Sequence, residues 1–312
     1  MRIVFFGTSR FAAAILESLL QNQYNIIAVV TRVDARQGRN LSISYSPVKV
    51  LALSFPTIPI LQPEKASDSE FISKIIGLEP DLFLVVAYGK ILRNTLLKIP
   101  KRGSINIHAS LLPKYRGAAP IQRALMEGEE KSGITIIEMT SEMDAGDVLE
   151  ESSIFIPPDM TFGELENEMI TTSKKILPKV IRSIESGILK KHRQDHNVVT
   201  YANKIDKTEL KILWTNPSYV IHNQIRAFSP EPGAWTYVML ASGIKKRLKI
   251  LKSHPQPRLL AVPGAIIEYT ESKWLVGCGE QSALEVLLVQ LEGKNKCSYR
   301  EFVKGNKIKS LL

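Results

Sequence analysis

The sequence is poor in the residues that form disulfides or bind metals. It has two cysteines, Cys278 and Cys297, and five histidines among 312 residues. Two cysteines do not build a disulfide scaffold, and the histidines do not stand at spacings typical of a metal site. No apolar run approaches the roughly 18–20 residues that a membrane-spanning helix needs. We therefore expect a cytosolic protein that holds no metal.

The N-terminal apolar stretch is too short for a signal peptide. It runs only from Ile3 to Phe6 and is interrupted by the polar turn at 7–10. This pattern predicts a first strand and a turn into a helix. The same turn lacks the GxGxxG motif of dinucleotide-binding folds, so we do not expect a nicotinamide cofactor.

Apolar strands alternate with helical segments in the first part of the chain. The apolar runs at 3–6, 25–30 and 81–87 predict strands, and Ser9 is placed to cap the helix that follows the first of them. This alternation predicts the α/β class, with a Rossmann-like, doubly wound and mostly parallel sheet.

The second part of the chain has a different pattern. A long helix predicted at 157–187 is followed by residues without a clean period, which is typical of a linker. Short strands then alternate with Gly and Pro turns, which predicts a small β-barrel. We therefore predict a first domain at 1–188, a linker at 189–208 and a barrel domain at 209–312.

The second part of the chain carries the whole net positive charge. Residues 1–188 hold 21 Lys and Arg against 21 Asp and Glu, whereas the remaining residues hold 20 against 10. A neutral first domain beside a basic second one indicates that the second meets a polyanion. The alternative is a generally basic surface with solvated lysines.

Polar and apolar residues alternate at 104–108, directly before an unusual loop, SLLPKYRGAAP. The alternation predicts a strand on which Asn106 and His108 point to the same side, near the carboxyl end where α/β sheets bind ligands. An Asn amide can donate to a developing oxyanion, and a His can transfer protons near neutral pH. Asp144, in the segment EMDAGDVL at 142–149, is a candidate to orient that His or to take a proton.

Each of these three residues also has an ordinary structural explanation. A lone Asn-x-His on a strand is weak evidence of catalysis, and Asp-x-Gly is common in turns. Their conjunction with the SLLPKYRGAAP loop favours chemistry, because packing alone does not require so many special residues. We therefore interpret Asn106, His108 and Asp144 as a candidate group for acyl transfer without a covalent enzyme intermediate.

The motif NIHASLLPKYRGAAPIQRAL, with EMDAGDVL downstream, resembles the formyltransferases that use 10-formyltetrahydrofolate. The opening IVFFGTSRFAAAILESLL, YSPVKVLA at 45–52 and LVVAYGKIL at 84–92 are similar to the same family, so the resemblance covers the whole chain. It implies a Rossmann-like first domain, an OB-like barrel and a catalytic role for Asn106, His108 and Asp144.

The resemblance also implies where the folate co-substrate binds. The implied contacts lie in the loop after the strand at 104–108 and in a turn near residue 88; they are Ser110, Leu111, Leu112, Pro113, Ala87, Tyr88 and Gly89. With the loop at 140–147, that turn corresponds to the walls of the family's pterin pocket. The chain departs from the family at Glu138, where Gln is usual, and at Ser141, where an acid is usual.

Within that family, RGAAPIQ is similar to the members that formylate methionine on initiator Met-tRNA. In those members a loop that matches residues 32–49 inserts at the tRNA acceptor end, which makes Arg36 and Arg39 candidate contacts. Leu41 and Ser42 stand where the family more often has Lys, so this loop is less basic than expected. The barrel adds its densest basic cluster as candidate tRNA contacts: Lys245, Lys246, Arg247 and Lys249. The alternative for residues 32–49 is an ordinary surface loop.

Two other functions stay open from the sequence. A folate-dependent enzyme acting on a small amine, such as glycinamide ribonucleotide or an amino-sugar nucleotide, explains neither the basic second part nor the Arg-rich loop. A non-catalytic RNA-binding protein leaves Asn106, His108 and Asp144 without a purpose. We therefore favour formyl transfer from 10-formyltetrahydrofolate to initiator Met-tRNA, by a monomer, since no heptad pattern indicates a partner. The sequence does not decide whether His108 or Asp144 carries the proton.

Overall fold

The computed structural model describes residues 1–37 and 42–312, with only the backbone described at 36, 37 and 42. These residues form two compact units. The first unit comprises 1–120, 131–155 and 166–202, and the second comprises 121–130, 156–165 and 203–312. No helix in the described ranges is both long enough and apolar enough to cross a membrane.

The first unit is built on a seven-stranded sheet. The strands of this unit are, in chain order, β1 (Ile3–Gly7), β2 (Ile26–Val30), β3 (Ala35–Gln37), β4 (Ser42–Ser44), β5 (Ile60–Leu61), β6 (Leu82–Val86), β7 (Ser104–His108), β8 (Arg116–Gly117), β9 (Lys131–Glu138), β10 (Val148–Phe155) and β11 (Tyr201–Ala202). The main sheet has the order β10-β9-β7-β6-β1-β2-β5. Five neighbouring strands of this sheet are parallel, namely β7, β6, β1, β2 and β5. Strands β9 and β10 extend the sheet antiparallel at the β7 edge.

The helices in the chain up to residue 186 are α1 (Arg10–Gln21), α2 (Pro47–Ala52), α3 (Ser69–Gly77), α4 (Asn94–Leu97), α5 (Pro120–Met126) and α6 (Phe162–Ser186). Local chemistry explains two of their starts. The Ser9 hydroxyl accepts from the Ala12 amide at 3.2 Å and caps α1. Thr161 and Glu164 form a capping box at the start of α6, and Gly187 follows its end with a φ of +71°.

The core of the sheet confirms the predicted fold class. Strands β1 and β6 are buried at every position, which is typical of central parallel strands covered on both faces. Phe6 and Phe83 pack with their ring centroids 4.9 Å apart. The sheet is therefore Rossmann-like and mostly parallel, as the alternating pattern predicts.

The second unit carries a barrel-like antiparallel sheet. Its helices are α7 (Ser218–Phe228) and α8 (Tyr299–Gly305), and its strands are β12 (Ala234–Leu240), β13 (Lys245–Gln256), β14 (Ile266–Tyr269), β15 (Trp274–Cys278), β16 (Ser282–Leu291), β17 (Lys296–Ser298) and β18 (Ile308–Leu311). The order is β14-β15-β16-β13-β12-β18, with β17 beside β16. Trp274 is fully buried and stacks on Phe302 at 5.4 Å in its core. The barrel predicted from short strands and turns is confirmed.

The compact units divide the chain differently from the predicted boundaries. Residues 189–202, predicted as the start of a linker, belong to the first unit, and residues 121–130 and 156–165 belong to the second. The physical reason is backbone pairing: β11 pairs with β8, and His192 exchanges two backbone hydrogen bonds with Val148. These paired segments have no hydrophobic periodicity, so the sequence pattern does not reveal them.

Candidate active site

Strand β7 presents Asn106 and His108 on one side of the sheet. The residues between and before them, Ile105 and Ile107, are 2% and 3% exposed on the opposite face. His108 is 5% exposed, and Asn106 is half-buried. The alternation of the strand therefore fixes both polar side chains at its carboxyl end.

Asp144 reaches these two residues from the hairpin loop between β9 and β10. Its carboxylate accepts a hydrogen bond from Asn106 Nδ2 at 3.3 Å and from the Gly117 amide at 2.9 Å, and it lies 3.6 Å from His108 Nδ1. Its φ of +52° is in the left-handed region, which is uncommon for a residue other than glycine. The structure thus brings the three predicted residues together.

The contacts of His108 determine the position of one proton. Its Nε2 lies 2.9 Å from the carbonyl oxygen of Tyr115. A carbonyl can only accept, so Nε2 carries a hydrogen and donates it. The other ring nitrogen, Nδ1, faces the Asp144 carboxylate at 3.6 Å.

The loop after β7 is braced by a buried threonine. Thr135 Oγ1 donates to the Ser110 carbonyl at 2.7 Å and accepts from the Leu112 amide at 3.1 Å. The Ser110 hydroxyl donates to the Lys114 carbonyl at 2.6 Å. Leu112 is buried, whereas Leu111 and Pro113 are half-buried, so of these four predicted folate contacts Leu111 and Pro113 offer apolar surface.

The turn after β6 offers its backbone rather than the Tyr88 side chain. Ala87, with a φ of +43°, and Gly89 are exposed. The ring of Tyr88 is 3% exposed and packs edge-on against Phe6 at 5.5 Å, and its burial raises the pKa of the phenol to about 12. The Tyr88 carbonyl accepts from the Thr8 hydroxyl at 2.9 Å. Together with Ile91, which is 82% exposed, this turn is suited to contact a flat apolar ligand.

Two buried polar side chains at the site were missed by the sequence reasoning. Arg116 is 1% exposed and donates from Nε and Nη2 to Gln194 Oε1 at 3.1 and 2.7 Å. Gln194 Nε2 in turn donates to the carbonyls of Asp144 and Gly146 at 2.8 and 2.7 Å. Arg116 lies inside the KYRGAAP motif, so its position was a usable signal. Gln194 lies in a segment without any motif and gave none.

The predicted basic cluster of the barrel lies on β13, opposite two aromatic residues of β12. The Lys245 ammonium lies 4.2 Å from the ring centroid of Tyr237, and the Arg247 guanidinium lies 4.3 Å from that of Trp235. Lys249 pairs in register with Trp235, so it shares this face. We call the face formed by Trp235, Tyr237, Lys245, Arg247 and Lys249 the basic aromatic face.

Lys246 lies on the other side of β13, because its partner in register is the fully buried Val238.

In the first unit, Arg36 lies on the short strand β3, and Arg39 lies outside the described residues. The ends of the segment that contains them are tied together: Lys49 Nζ donates to Asp34 at 2.5 Å and to Gln62 at 2.8 Å. The hydrogen bond from Lys49 lowers the pKa of Asp34.

Metal-binding clusters are not found in the part of the chain that the structure describes. No group of three or more His, Cys, Asp or Glu residues there is arranged to hold a metal ion.

Comparison with known proteins identifies a family over nearly the whole chain. The sequence model of the formyl transferase family matches residues 1–181, and that of the formyl transferase C-terminal domain matches residues 204–307. A methionyl-tRNA formyltransferase of Protochlamydia amoebophila is 41% identical over 100% of this chain and 98% of its own length. One of Chlamydia caviae is 42% identical over 98% of this chain and 95% of its own length.

Solved structures share the fold at lower identity. The sugar 3N-formyl transferase WlaRD, solved with dTDP and 5-N-formyl-THF, superimposes with a TM-score of 0.65 at 20% identity, covering 95% of this chain and 99% of its own. HypX of Aquifex aeolicus, in complex with tetrahydrofolic acid, gives a TM-score of 0.63 at 17% identity over 99% of this chain and 48% of its own. At these identities the likeness shows the fold.

Proposed function

The chain belongs to the methionyl-tRNA formyltransferases, within the formyl transferase family, and from that membership we propose that it transfers the formyl group of 10-formyltetrahydrofolate to the α-amino group of methionine on initiator Met-tRNA. The observation that carries the proposal is the convergence of Asn106, His108 and Asp144 at one end of β7. A cytoplasmic location, where aminoacylated tRNA is made, accompanies it.

The loops around β7 fit the folate that this reaction requires. Leu111 and Pro113 are half-buried, and Ala87, Gly89 and Ile91 are exposed, which supports an apolar surface for a flat ring system. We assign the folate to these residues, to Ser110 and Leu112 and to the loop at 140–147, with Tyr88 contributing its backbone. When bound, the folate supplies an electrophilic formyl carbon.

Asn106 is suited to stabilise negative charge on the formyl oxygen. An amide carries two N–H hydrogens, and the contact with Asp144 uses one of them. We assign the second hydrogen to the oxygen that gains charge as the amine attacks. A preorganised donor of this kind typically contributes about 10²–10³ in rate.

His108 and Asp144 are suited to manage the proton of the attacking amine. A free α-amine has a pKa of about 7.7–8.0, so a useful fraction is neutral near pH 7. The proton released on attack goes to the pair formed by His108 Nδ1 and the Asp144 carboxylate, 3.6 Å apart. The same pair returns a proton to the departing nitrogen. Because the two groups are coupled, we assign the proton to the pair and to neither residue alone.

The basic aromatic face supports tRNA as the acceptor. It presents three cations, Lys245, Arg247 and Lys249, beside two aromatic rings on one surface of the barrel. Cations neutralise phosphates and aromatic rings stack on bases, so this composition suits RNA. We keep Arg36 and Arg39 as proposed contacts of the tRNA acceptor end, and Lys246 as a weaker one.

A single chain supplies every residue of the proposed site, so a monomer is sufficient for the reaction. The alternative is an enzyme that formylates a small amine, such as glycinamide ribonucleotide or an amino-sugar nucleotide. Such an enzyme has no use for the basic aromatic face.

The experiment that tests the proposal is transfer of labelled formyl from 10-formyltetrahydrofolate to three acceptors in parallel. These are initiator Met-tRNA, elongator Met-tRNA and glycinamide ribonucleotide. We expect label chiefly on the initiator. Label on the small amine in preference to Met-tRNA would overturn the proposed acceptor.

A further inference from the structure

The segment after α6 crosses over the active site of the first unit. His192 bonds to Val148 through its backbone amide at 2.9 Å and carbonyl at 2.7 Å, and β11 pairs with β8 a few residues later. Between these two attachments lies Gln194, which is 6% exposed. The segment is therefore held on both sides of Gln194 by backbone pairing.

The side-chain amide of Gln194 has all of its hydrogen-bonding positions filled. Its two N–H hydrogens go to the carbonyls of Asp144 and Gly146, and its oxygen accepts twice from Arg116. This pattern fixes the orientation of the amide. If the amide were flipped, its N–H groups would face the N–H groups of Arg116, and its oxygen would face two carbonyl oxygens. Such a side chain is a rigid connection between the loop after β7 and the turn that carries Asp144.

The turn at Asp144 needs external support. Asp144 adopts a φ of +52°, which is disfavoured for residues other than glycine and persists only where surrounding contacts determine it. Gly146 is enclosed, since a Cβ there would lie 1.8 Å from the Glu138 carbonyl oxygen. Gln194 bonds to the carbonyls of both residues and so stabilises this conformation.

Arg116 links Gln194 to the residue that binds the Asp144 carboxylate. It is 1% exposed, its guanidinium holds Gln194, and the next residue, Gly117, donates its amide to the Asp144 carboxylate at 2.9 Å. The carbonyl of Asp144 is thus held through Gln194, and its carboxylate is held by the residue adjacent to Arg116. The backbone carbonyl and the side-chain carboxylate of Asp144 are therefore both held through residues 116 and 117.

We propose that Gln194 is a positioning residue of the formyl transfer reaction, which acts by holding the Asp144 carboxylate against Asn106 and His108. This inference rests on the proposed function for its kinetic readout. It predicts that Gln194 contributes to turnover only through Asp144 and makes no contribution to tRNA binding.

Two substitutions test the role from different sides. Gln194→Met keeps the length of the side chain and removes both its donors and its acceptor, whereas Gln194→Glu keeps the partner of Arg116 and removes the donors. A displacement of a catalytic group by about 1 Å can cost on the order of 10²-fold in rate, so we expect kcat to fall by about 10- to 100-fold with KM for Met-tRNA unchanged.

A matched control exists in the second unit. Gln224 Nε2 also donates to two backbone carbonyls, those of Glu209 and Lys211, at 2.7 and 3.0 Å. The substitution Gln224→Met removes the same kind of contact from a residue to which we assign no role in formyl transfer. Gln224 is half-buried. We expect kcat to stay within about twofold of the wild type, which separates the general cost of losing an amide bonded to two carbonyls from the cost of losing a positioning contact.

A double-mutant cycle with Asp144→Asn distinguishes positioning from a purely structural role. If Gln194 acts through Asp144, Gln194→Met costs about twofold or less in kcat once Asp144 is already Asn. If the two losses multiply in full, Gln194 does not act through Asp144 and the proposal is wrong.

Hydrogen exchange gives a readout that does not depend on the acceptor. The Gly117 amide is bonded to the Asp144 carboxylate, so loosening of the turn should speed its exchange by about tenfold in both Gln194 variants and leave it unchanged in Gln224→Met. Proteolytic peptides that cover Gly117 report it by mass spectrometry. If the wild type transfers no formyl to any acceptor, the proposed function fails while this exchange still decides the positioning role. Unchanged exchange at Gly117 in both variants would overturn the proposal.

Discussion

The active site of the first unit and the basic aromatic face of the second use polar side chains in opposite ways. His108 and Arg116 are 5% and 1% exposed, and each donates hydrogen bonds to partners that are themselves fixed. Lys245 and Arg247 are exposed, and their charged groups lie over the faces of aromatic rings on their own sheet. Bond-making chemistry needs groups fixed in place, whereas binding a polyanion needs charges that reach into solvent.

The largest expected effect separates chemistry from binding. His108→Ala and Asp144→Asn should each lower kcat by about 10²–10⁴, because each removes part of the pair that takes the amine proton. The dissociation constant for Met-tRNA, measured by filter binding, should change by no more than about twofold. Near-wild-type turnover in both variants would remove them from the catalytic machinery.

Replacement of Asn106 tests the oxyanion donor with a shape-matched control. Asn106→Ala should lower kcat by about 10²–10³. Asn106→Asp keeps the shape but replaces the donating nitrogen with an oxygen, so it should be at least as damaging. Steady-state kinetics at saturating Met-tRNA measures both. An active Asn106→Asp enzyme would show that donation from this position is not required.

Neutralising the basic aromatic face should produce the reverse pattern. In the variant with Lys245→Gln, Arg247→Gln and Lys249→Gln, tRNA affinity should fall and the slope of log K against log salt should become shallower by about 2, since each phosphate contact contributes roughly 0.7–0.9. Turnover at saturating tRNA should be retained. Filter binding at four salt concentrations measures the slope.

Three single substitutions calibrate that result. Lys74→Gln is the control, because Lys74 lies on α3 in an ion pair with Glu70 and we assign it no tRNA contact. Lys246→Gln should change the slope less than Lys245→Gln does, because Lys246 is on the opposite side of β13. Equal effects of Lys245 and Lys246 would show that the face as we define it is not the contact surface.

The smallest expected effect concerns the aromatic part of the face. Trp235→Leu removes the ring under Arg247, a contact that at exposed sites is worth about 0.5–1 kcal/mol. Affinity for tRNA should therefore fall only a few-fold, with an unchanged salt slope because no charge is lost. A changed slope would indicate that Trp235 mainly holds Arg247 in position.

The sequence predicts the residues placed by a regular period and misses those placed by irregular backbone. Asn106 and His108 stand on an alternating strand next to a recognisable loop, and the structure brings them to Asp144. Gln194 could not be predicted, because its role depends on the pairing of β8 with β11, which are two residues each and have no pattern. The sequence pattern likewise does not reveal that the Tyr88 ring packs in the core against Phe6, or that the strand register places Lys246 on the side of β13 away from Lys245.

Single-turnover formylation of initiator Met-tRNA over a range of enzyme concentrations tests most directly whether the active site carries the chemistry and the basic aromatic face binds the tRNA. It is run in parallel for Asp144→Asn and for the triple variant of the basic aromatic face. For Asp144→Asn we expect a lower plateau rate with an unchanged half-saturation point. For the triple variant we expect an unchanged plateau rate with a half-saturation point at higher enzyme concentration. A lower plateau in the triple variant, or a shifted half-saturation point in Asp144→Asn, would show that catalysis and tRNA binding are not separated in this way.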